Sequence, residues 1–107
     1  MSNMDLLPEI TRRLLSVSEP EKIILFGSSA RGDAHPDSDL DLLVILRGVR
    51  SPRSESNRLR RALRGLLVPV DIIVASPEHI QRYRNSIGLI YHSALTEGKV
   101  IYERPTA

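Results

Sequence analysis

Two stretches of the chain decide its fold: Lys22–Gly32, which reads KIILFGSSARG, and Ser38–Leu46, which reads SDLDLLVIL. Each holds an apolar run of strand length next to glycine or aspartate. The first run predicts a strand over Lys22–Phe26 and the second predicts a strand over Leu40–Leu46. The second run is so uniformly apolar after Asp41 that we expect this strand to be buried.

The other elements follow from the same kinds of pattern. They are a helix over Asp5–Val17, a loop over Arg47–Arg53, a helix marked by apolar residues between Leu59 and Leu67, a strand over Val70–Val74, a helix from Ser76 to about Glu97 with an interruption, and a closing strand over Val100–Tyr102. This order predicts an α/β (α+β) fold with helices packed on one face of a small sheet. We expect one domain over residues 1–107, because a chain of this length forms one core.

Composition excludes several classes of protein. The 107 residues contain no cysteine, so a disulfide scaffold, a cysteine nucleophile and a thiolate metal site are excluded. Any metal chemistry must use oxygen or imidazole ligands. No apolar run approaches the ~20 residues of a membrane span, and the first residues lack the pattern of a signal peptide. We therefore expect a cytoplasmic protein with no membrane contact.

Charge is unevenly spread along a chain whose net charge is only +2. Seven arginines but a single acid, Glu55, lie between Arg47 and Arg64, whereas four aspartates lie within residues 33–41. An acidic centre beside a basic flank suggests cations bound next to a polyanion. The basic stretch itself has three interpretations: a solvated helix face, a contact with a triphosphate or RNA, or a docking surface for an acidic partner.

The turn after the first strand has the character of a phosphate site. Gly27 and Ser28 are small, so backbone N–H groups can approach a phosphate closely. The next carboxylates, Asp39 and Asp41, are two residues apart, and on a strand they share one face about 7 Å apart. Both could then reach a pair of divalent cations. A solvated aspartate-rich turn is the alternative.

Asp71 interrupts the otherwise apolar strand Val70–Val74. A charge there is costly unless it meets a partner or a cation. Alternatively, Asp71 faces solvent on an edge strand, which the preceding Pro69 would suit. Together the glycine turn, the paired aspartates and Asp71 form a convergent set, because three neighbouring strands would bring them to one end or face of the sheet.

The patterns Gly27-Ser28-x-Ala30-Arg31-Gly32 and Ser38-Asp39-x-Asp41-Leu42 resemble the DNA polymerase beta-like nucleotidyltransferase superfamily. The short chain resembles its minimal nucleotidyltransferases, the MNT antitoxins that pair with HEPN-domain toxins. The resemblance covers Ile23–Val74 by motif and continues to Glu103 by layout. It implies a nucleotidyltransferase fold with a small mixed β-sheet.

The resemblance also implies roles for these residues. Asp39 and Asp41 would ligate two Mg²⁺ ions, and Asp71 would complete the metal site and help to deprotonate the attacking hydroxyl. Gly27 and Ser28 would hold the β- and γ-phosphates of ATP. The implied reaction transfers AMP to a protein hydroxyl, a tyrosine of a HEPN-type toxin, which makes the chain an antitoxin and a protein adenylyltransferase.

Several questions stay open from the sequence. Arg31 is a candidate nucleotide-binding residue, but it could instead pair with Asp33 or Asp37. His35 could touch phosphate or be a solvated loop residue. The chain could also be a non-catalytic module that neutralises its partner by contact, or a transferase acting on RNA or a small molecule, although the resemblance favours a protein acceptor. It could form homo- or hetero-oligomers.

Overall fold

A computed structural model describes residues 3–32, 39–83 and 90–105 of the chain. After a 3₁₀ turn over Asn3–Leu6, the elements are α1 (Leu7–Val17), β1 (Lys22–Phe26), α2 (Ser28–Arg31), β2 (Leu40–Ile45), α3 (Pro52–Ala62), β3 (Val70–Ala75), α4 (Pro77–Tyr83), α5 (Ile90–Glu97) and β4 (Lys99–Glu103). The four strands form one sheet in the order β3-β2-β1-β4. β1 is antiparallel to β2 and β4, while β2 is parallel to β3, so the predicted mixed sheet is confirmed.

The predicted strands agree with the structure to within one residue at each end. The helix start at Ser76 is also confirmed, because the Ser76 hydroxyl accepts a hydrogen bond from the His79 N–H at 3.1 Å. Gly98 ends α5 as expected, and its N–H donates to the Ala94 carbonyl at 3.0 Å. A β-carbon at Gly98 would overlap that carbonyl, so only glycine fits where the chain turns from α5 into β4.

The predicted bounds of α3 are partly wrong. The helix begins at Pro52, inside the expected loop, because the Ser51 hydroxyl accepts from the Ser54 N–H at 3.3 Å and caps it. It ends at Ala62, before the last leucines of the pattern. Leu67 is 98% exposed. Apolar spacing placed the helix too far along the chain, whereas the serine-proline pair marks its start.

Helices cover both faces of the sheet, so the expectation of helices on one face is wrong. The large core cluster joins α1 and α3 to alternate strand residues such as Leu25, Leu42 and Val74. The small core cluster joins α4 and α5 to the opposite strand positions, including Ile24 and Leu43. Both faces of β2 are therefore apolar beyond Asp41, which is the pattern of a strand covered on both sides. None of the described helices is long and apolar enough to cross a membrane.

Candidate active site

Asp41 and Asp71 are direct neighbours across the two parallel strands β2 and β3. Adjacent strands lie about 4.8 Å apart, and residues in register present their side chains to the same face. That face is the one that carries Leu43 and the small core cluster. Leu40 and Leu42 flank Asp41 and are fully buried in the large core cluster on the other face, as predicted. The pairing of the strands thus brings Asp41 and Asp71 together at the beginning of both strands.

Asp39 is the residue before β2 begins and is exposed. The peptide between Asp39 and Asp41 is held in place, because the Leu40 N–H donates to the Pro69 carbonyl at 3.0 Å. Pro69 is the residue that precedes β3, so this hydrogen bond extends the β2–β3 pairing by one step. It holds the start of β2 next to the start of β3. The segment that contains Asp39 and Asp41 is thereby fixed relative to the segment that contains Asp71.

Electrostatics shows that the three carboxylates act on each other. Burial raises the pKa of Asp41, and the charges of Asp71 and Asp39 raise it further. A carboxylate whose pKa is raised in the folded protein has a charged form that is less favourable there than in the unfolded chain. A divalent cation would remove that disadvantage, since it favours the charged form of every carboxylate around it.

These residues fit a divalent metal ion of the Mg²⁺ type. Mg²⁺ takes oxygen ligands and is commonly held by one or two carboxylates together with waters and substrate phosphates. Within residues 3–32, 39–83 and 90–105, no three His, Cys, Asp or Glu side chains form a group that could hold a metal ion, so the structure does not gather Asp39, Asp41 and Asp71 around one point.

The turn that follows β1 lies directly against Asp41. Phe26 is paired with Asp41 across β1 and β2, and Gly27 comes next with φ +77°. A β-carbon at Gly27 would overlap the Asp41 Oδ2 atom, so both its space and its backbone angle require glycine. The Gly27 carbonyl then accepts from the N–H groups of Ala30 and Arg31 at 3.1 and 3.2 Å, which closes α2. The backbone of Gly27 thus lies beside the Asp41 carboxylate, and phosphate binding by Gly27 and Ser28 stays a prediction.

Arg31 has a partner that the sequence did not indicate. Its Nη1 lies 3.7 Å from Glu97 Oε2 at the end of α5, and both side chains are about half exposed. Asp33 and Asp37, the predicted partners, lie outside the described residues, as does His35. Glu97 is distant from Arg31 in the sequence, so no local spacing pattern could have revealed the pair. The ion pair links α2 to α5, which covers the face of the sheet that carries the small core cluster.

The more spacious cavities lie away from the aspartates. One of about 690 Å³ includes Lys22, Ile45 and Arg104 in its lining, and another of about 610 Å³ lies between Ser18 and the start of α3. Lys22 and Ile45 pair at the opposite end of β1 and β2 from Phe26 and Asp41. These two cavities therefore lie at the other end of the sheet, and the candidate site is identified by its charges and its strand register.

Comparison with known proteins agrees with this geometry. The family model described as "Nucleotidyltransferase domain" matches residues 5–92. The chain belongs to this family. The matched range covers the glycine turn, the paired aspartates and β3 with Asp71. It therefore includes every candidate residue of the site.

Several solved structures share the fold. A protein from Sulfolobus solfataricus, assigned as a nucleotidyltransferase, is 24% identical with a TM-score of 0.67, over 94% of this chain and 83% of that one. A toxin–antitoxin complex with AMP-PNP is 23% identical with a TM-score of 0.56, over 90% and 73% of the two chains. A mutant of the toxin–antitoxin pair MntA–HpeT is 20% identical with a TM-score of 0.62, over 97% and 75%. Comparison with curated proteins gives no significant match.

Proposed function

We propose that this nucleotidyltransferase moves AMP from ATP to a hydroxyl of a protein, a tyrosine of a HEPN-type toxin, and so acts in the cytoplasm as the antitoxin of a toxin–antitoxin pair. The observation that carries the proposal is the register of Asp41 with Asp71 on one face of the sheet, with the Gly27 turn against Asp41. Carboxylates and a phosphate-sized backbone turn are the two parts that phosphoryl transfer requires.

Each residue has a defined task in the proposed reaction. Asp39 and Asp41 would hold two Mg²⁺ ions, and Asp71 would contribute to the metal site. When bound, the ions would neutralise charge on the phosphates and lower the pKa of the acceptor hydroxyl. Asp71 is exposed on an edge strand, so an incoming hydroxyl can reach it and give up its proton there.

The turn over Gly27 and Ser28 would orient the β- and γ-phosphates. In the transfer, the hydroxyl oxygen forms a bond to the α-phosphorus, and the bond from that phosphorus to the bridging oxygen breaks. Pyrophosphate leaves with the electron pair. Arg31 lies at the end of the same short helix and could turn from Glu97 toward the triphosphate. Its position supports a role in nucleotide binding without fixing one.

A protein acceptor within a toxin–antitoxin pair is supported by two independent features. Similar folds occur in toxin–antitoxin structures, one of which contains AMP-PNP. The sequence motif around Gly27 and Arg31 resembles the antitoxin branch of the superfamily.

The test is transfer of label from α-labelled ATP, with Mg²⁺, to the protein encoded beside this chain, which the proposal expects to be of the HEPN type. We expect label on that protein with the wild type and with Glu19→Gln, which removes an exposed carboxylate remote from the site. Asp41→Asn and Asp71→Asn should lower the rate by about a hundredfold or more, because each removes a carboxylate that would hold the ions that neutralise the phosphates.

Three results would contradict the proposal. Full transfer by folded Asp41→Asn would exclude Asp41 from the site. Inhibition of the partner without ATP or Mg²⁺, and without any transfer, would favour a non-catalytic binding module. Label on RNA in place of protein would assign a different acceptor.

A further inference from the structure

A basic surface with one apolar residue lies where α3 ends and the chain returns to β3. We call it the arginine turn and define it by Arg60, Arg61, Arg64 and Leu67. All four side chains are exposed, and Leu67 is exposed to 98%. No acidic residue occurs from Ser56 to Val70, so nothing nearby in the sequence offsets the positive charge. The arginine turn therefore offers three cationic side chains together with one exposed apolar side chain.

The backbone of the arginine turn is held in one shape. The N–H groups of Leu63, Arg64 and Leu66 donate in succession to the carbonyls of Arg60, Arg61 and Leu63, at 3.0 to 3.2 Å. Leu63 is buried beneath the turn. From α1, the Arg13 guanidinium donates to the Arg64 carbonyl at 2.9 Å. The exposed side chains therefore project from a fixed support, which limits the ordering cost of binding a partner.

The arginine turn leads directly into the candidate active site. Val68 is buried, and the carbonyl of Pro69 accepts the hydrogen bond from the N–H of Leu40, between Asp39 and Asp41. Asp71 follows two residues later. A partner that rests on this turn would therefore lie at the end of the sheet where Asp41 and Asp71 stand, although α3 packs on the face opposite to the one they share.

Other arginines of the basic stretch are engaged within the protein. Arg47 pairs with Glu21. Arg58 pairs with Glu55 at 2.7 Å and also donates to the Val17 carbonyl. Arg50 and Arg53 are exposed but lie at the other end of α3. Among the arginines from Arg47 to Arg64, those of the arginine turn combine exposure with a place at the end of the sheet that carries Asp41 and Asp71.

We propose that the arginine turn is the docking surface for an acidic segment of the protein acceptor, which carries glutamate or aspartate together with an apolar side chain. This inference rests on the proposed function and adds the surface that selects the acceptor. Arginine suits this role because its planar guanidinium binds carboxylates with two hydrogen bonds, and Leu67 offers an apolar contact in the same turn.

RNA fits this surface less well than a protein does. Binding of single-stranded nucleic acid relies on aromatic side chains on which bases stack. The sequence holds no aromatic residue between Phe26 and Tyr83, so the arginine turn has none of its own. A bare apolar side chain such as Leu67 has more to gain from a protein surface than from a phosphate backbone.

The test measures binding of a fluorescent peptide that carries glutamates, a leucine and a tyrosine. A matched peptide has glutamine at every glutamate position, and an oligoadenylate RNA is the third probe. We expect the acidic peptide to bind the wild type best. Arg60→Glu combined with Arg61→Glu should weaken that binding about tenfold or more, because each reversal replaces attraction with repulsion.

The matched control is Arg50→Glu combined with Arg53→Glu, which makes the same change in charge at the other end of α3. It should keep binding within about twofold of the wild type, since exposed charges at this separation are largely screened. Because acidic residues disfavour the last turn of a helix, Arg60→Gln combined with Arg61→Gln serves as a second variant that removes charge with less effect on folding. Thermal unfolding shows that each variant is folded.

The outcomes separate this inference from the proposed function. Peptide binding that depends on Arg60 and Arg61 supports the docking surface even if no AMP is transferred. Transfer to the HEPN-type protein that is unchanged in both Arg60/Arg61 variants overturns the docking surface and leaves the proposed function intact. Equal binding of both peptides, or RNA binding that is tighter than peptide binding and lost in the same variants, also overturns it.

Discussion

The two faces of β2 differ in what they contribute. On one face, Leu40, Leu42 and Val44 have no exposed surface and belong to the large core cluster. On the other, the same strand carries Asp41 before Leu43 and Ile45, and the cluster there is smaller. One face is apolar along its whole length, while the other begins with a carboxylate whose charge is unfavourable in the metal-free protein. The comparison indicates that β2 contributes core packing on one face and the carboxylate of the candidate site on the other.

The largest expected effect is loss of stability on the apolar face. Leu42→Ala should lower the free energy of unfolding by about 2–5 kcal/mol, because it leaves a cavity at a fully buried position. Leu67→Ala removes the same atoms from an exposed side chain and should stay within about 0.5 kcal/mol of the wild type. Urea unfolding measures both. Similar losses in the two variants would show that the large core cluster does not dominate stability.

The Gly27 turn is where the charged face meets the backbone. Gly48→Ala, at φ +70° with open space around it, should cost about 1–2 kcal/mol through backbone strain. Gly27→Ala, at φ +77°, meets the same strain and also overlaps Asp41, so it should cost at least about 1 kcal/mol more.

The overlap itself can be tested by removing the atom that Gly27 would meet. Adding Asp41→Ala to Gly27→Ala should recover most of the excess loss of stability, as measured by urea unfolding of the double variant. Equal losses for Gly27→Ala and Gly48→Ala would mean that Asp41 does not lie against the turn.

Asp41 should destabilise the metal-free protein at neutral pH. Its pKa is raised in the folded state, so the folded protein holds the proton more tightly and stability falls as pH rises through that pKa. Asp41→Asn should therefore unfold at a higher temperature than the wild type at neutral pH without metal.

The difference should disappear below the ordinary pKa of 3.8, where the wild-type carboxyl is protonated in both states. Added Mg²⁺ should stabilise the wild type more than Asp41→Asn. Thermal unfolding across pH checks both expectations. A variant that is less stable than the wild type at neutral pH without metal would contradict an unfavourable charge at Asp41.

The smallest effect is expected from the partly exposed ion pair between Glu55 and Arg58 on α3. Arg58 holds the pKa of Glu55 below its usual 4.5, so the pair adds stability above that pH and loses it as pH falls through the lowered pKa. Glu55→Gln should cost about 0.3–0.5 kcal/mol at neutral pH and nothing in acid. Glu78→Gln, also in the first turn of a helix, is the control for the helix dipole. Equal losses in the two variants would show that the pair with Arg58 adds nothing.

Much of the fold could be predicted from local patterns. Apolar runs gave the strands to within a residue, and Ser76 with Pro77 gave the start of α4. Helices on both faces were missed, although the continuous apolar run of β2 indicated two buried sides. The end of α3 was missed because the leucine spacing continues into the arginine turn. The helix is closed there by backbone hydrogen bonds, and these leave no periodic signal in the sequence.

The candidate site was predictable as a set of residues but its arrangement was not. The spacing of Asp39 and Asp41 predicts a shared face, whereas the pairing of Asp41 with Asp71 depends on the register of two parallel strands. Residues that meet only through the tertiary fold, such as Arg31 and Glu97, leave no local pattern. Of the two interpretations of Asp71, the structure confirms that it is exposed on an edge strand, and its role beside a cation stays a prediction.

The central claim is that Asp41 and Asp71 form a metal and nucleotide site, and binding of Mn²⁺ in the presence of a non-hydrolysable ATP analogue tests it most directly. Titration by calorimetry should show binding to the wild type and to Glu19→Gln. Asp41→Asn and Asp71→Asn should each weaken it by about tenfold or more, because each loses a carboxylate beside the ion. Unchanged affinity in both folded aspartate variants would contradict the claim.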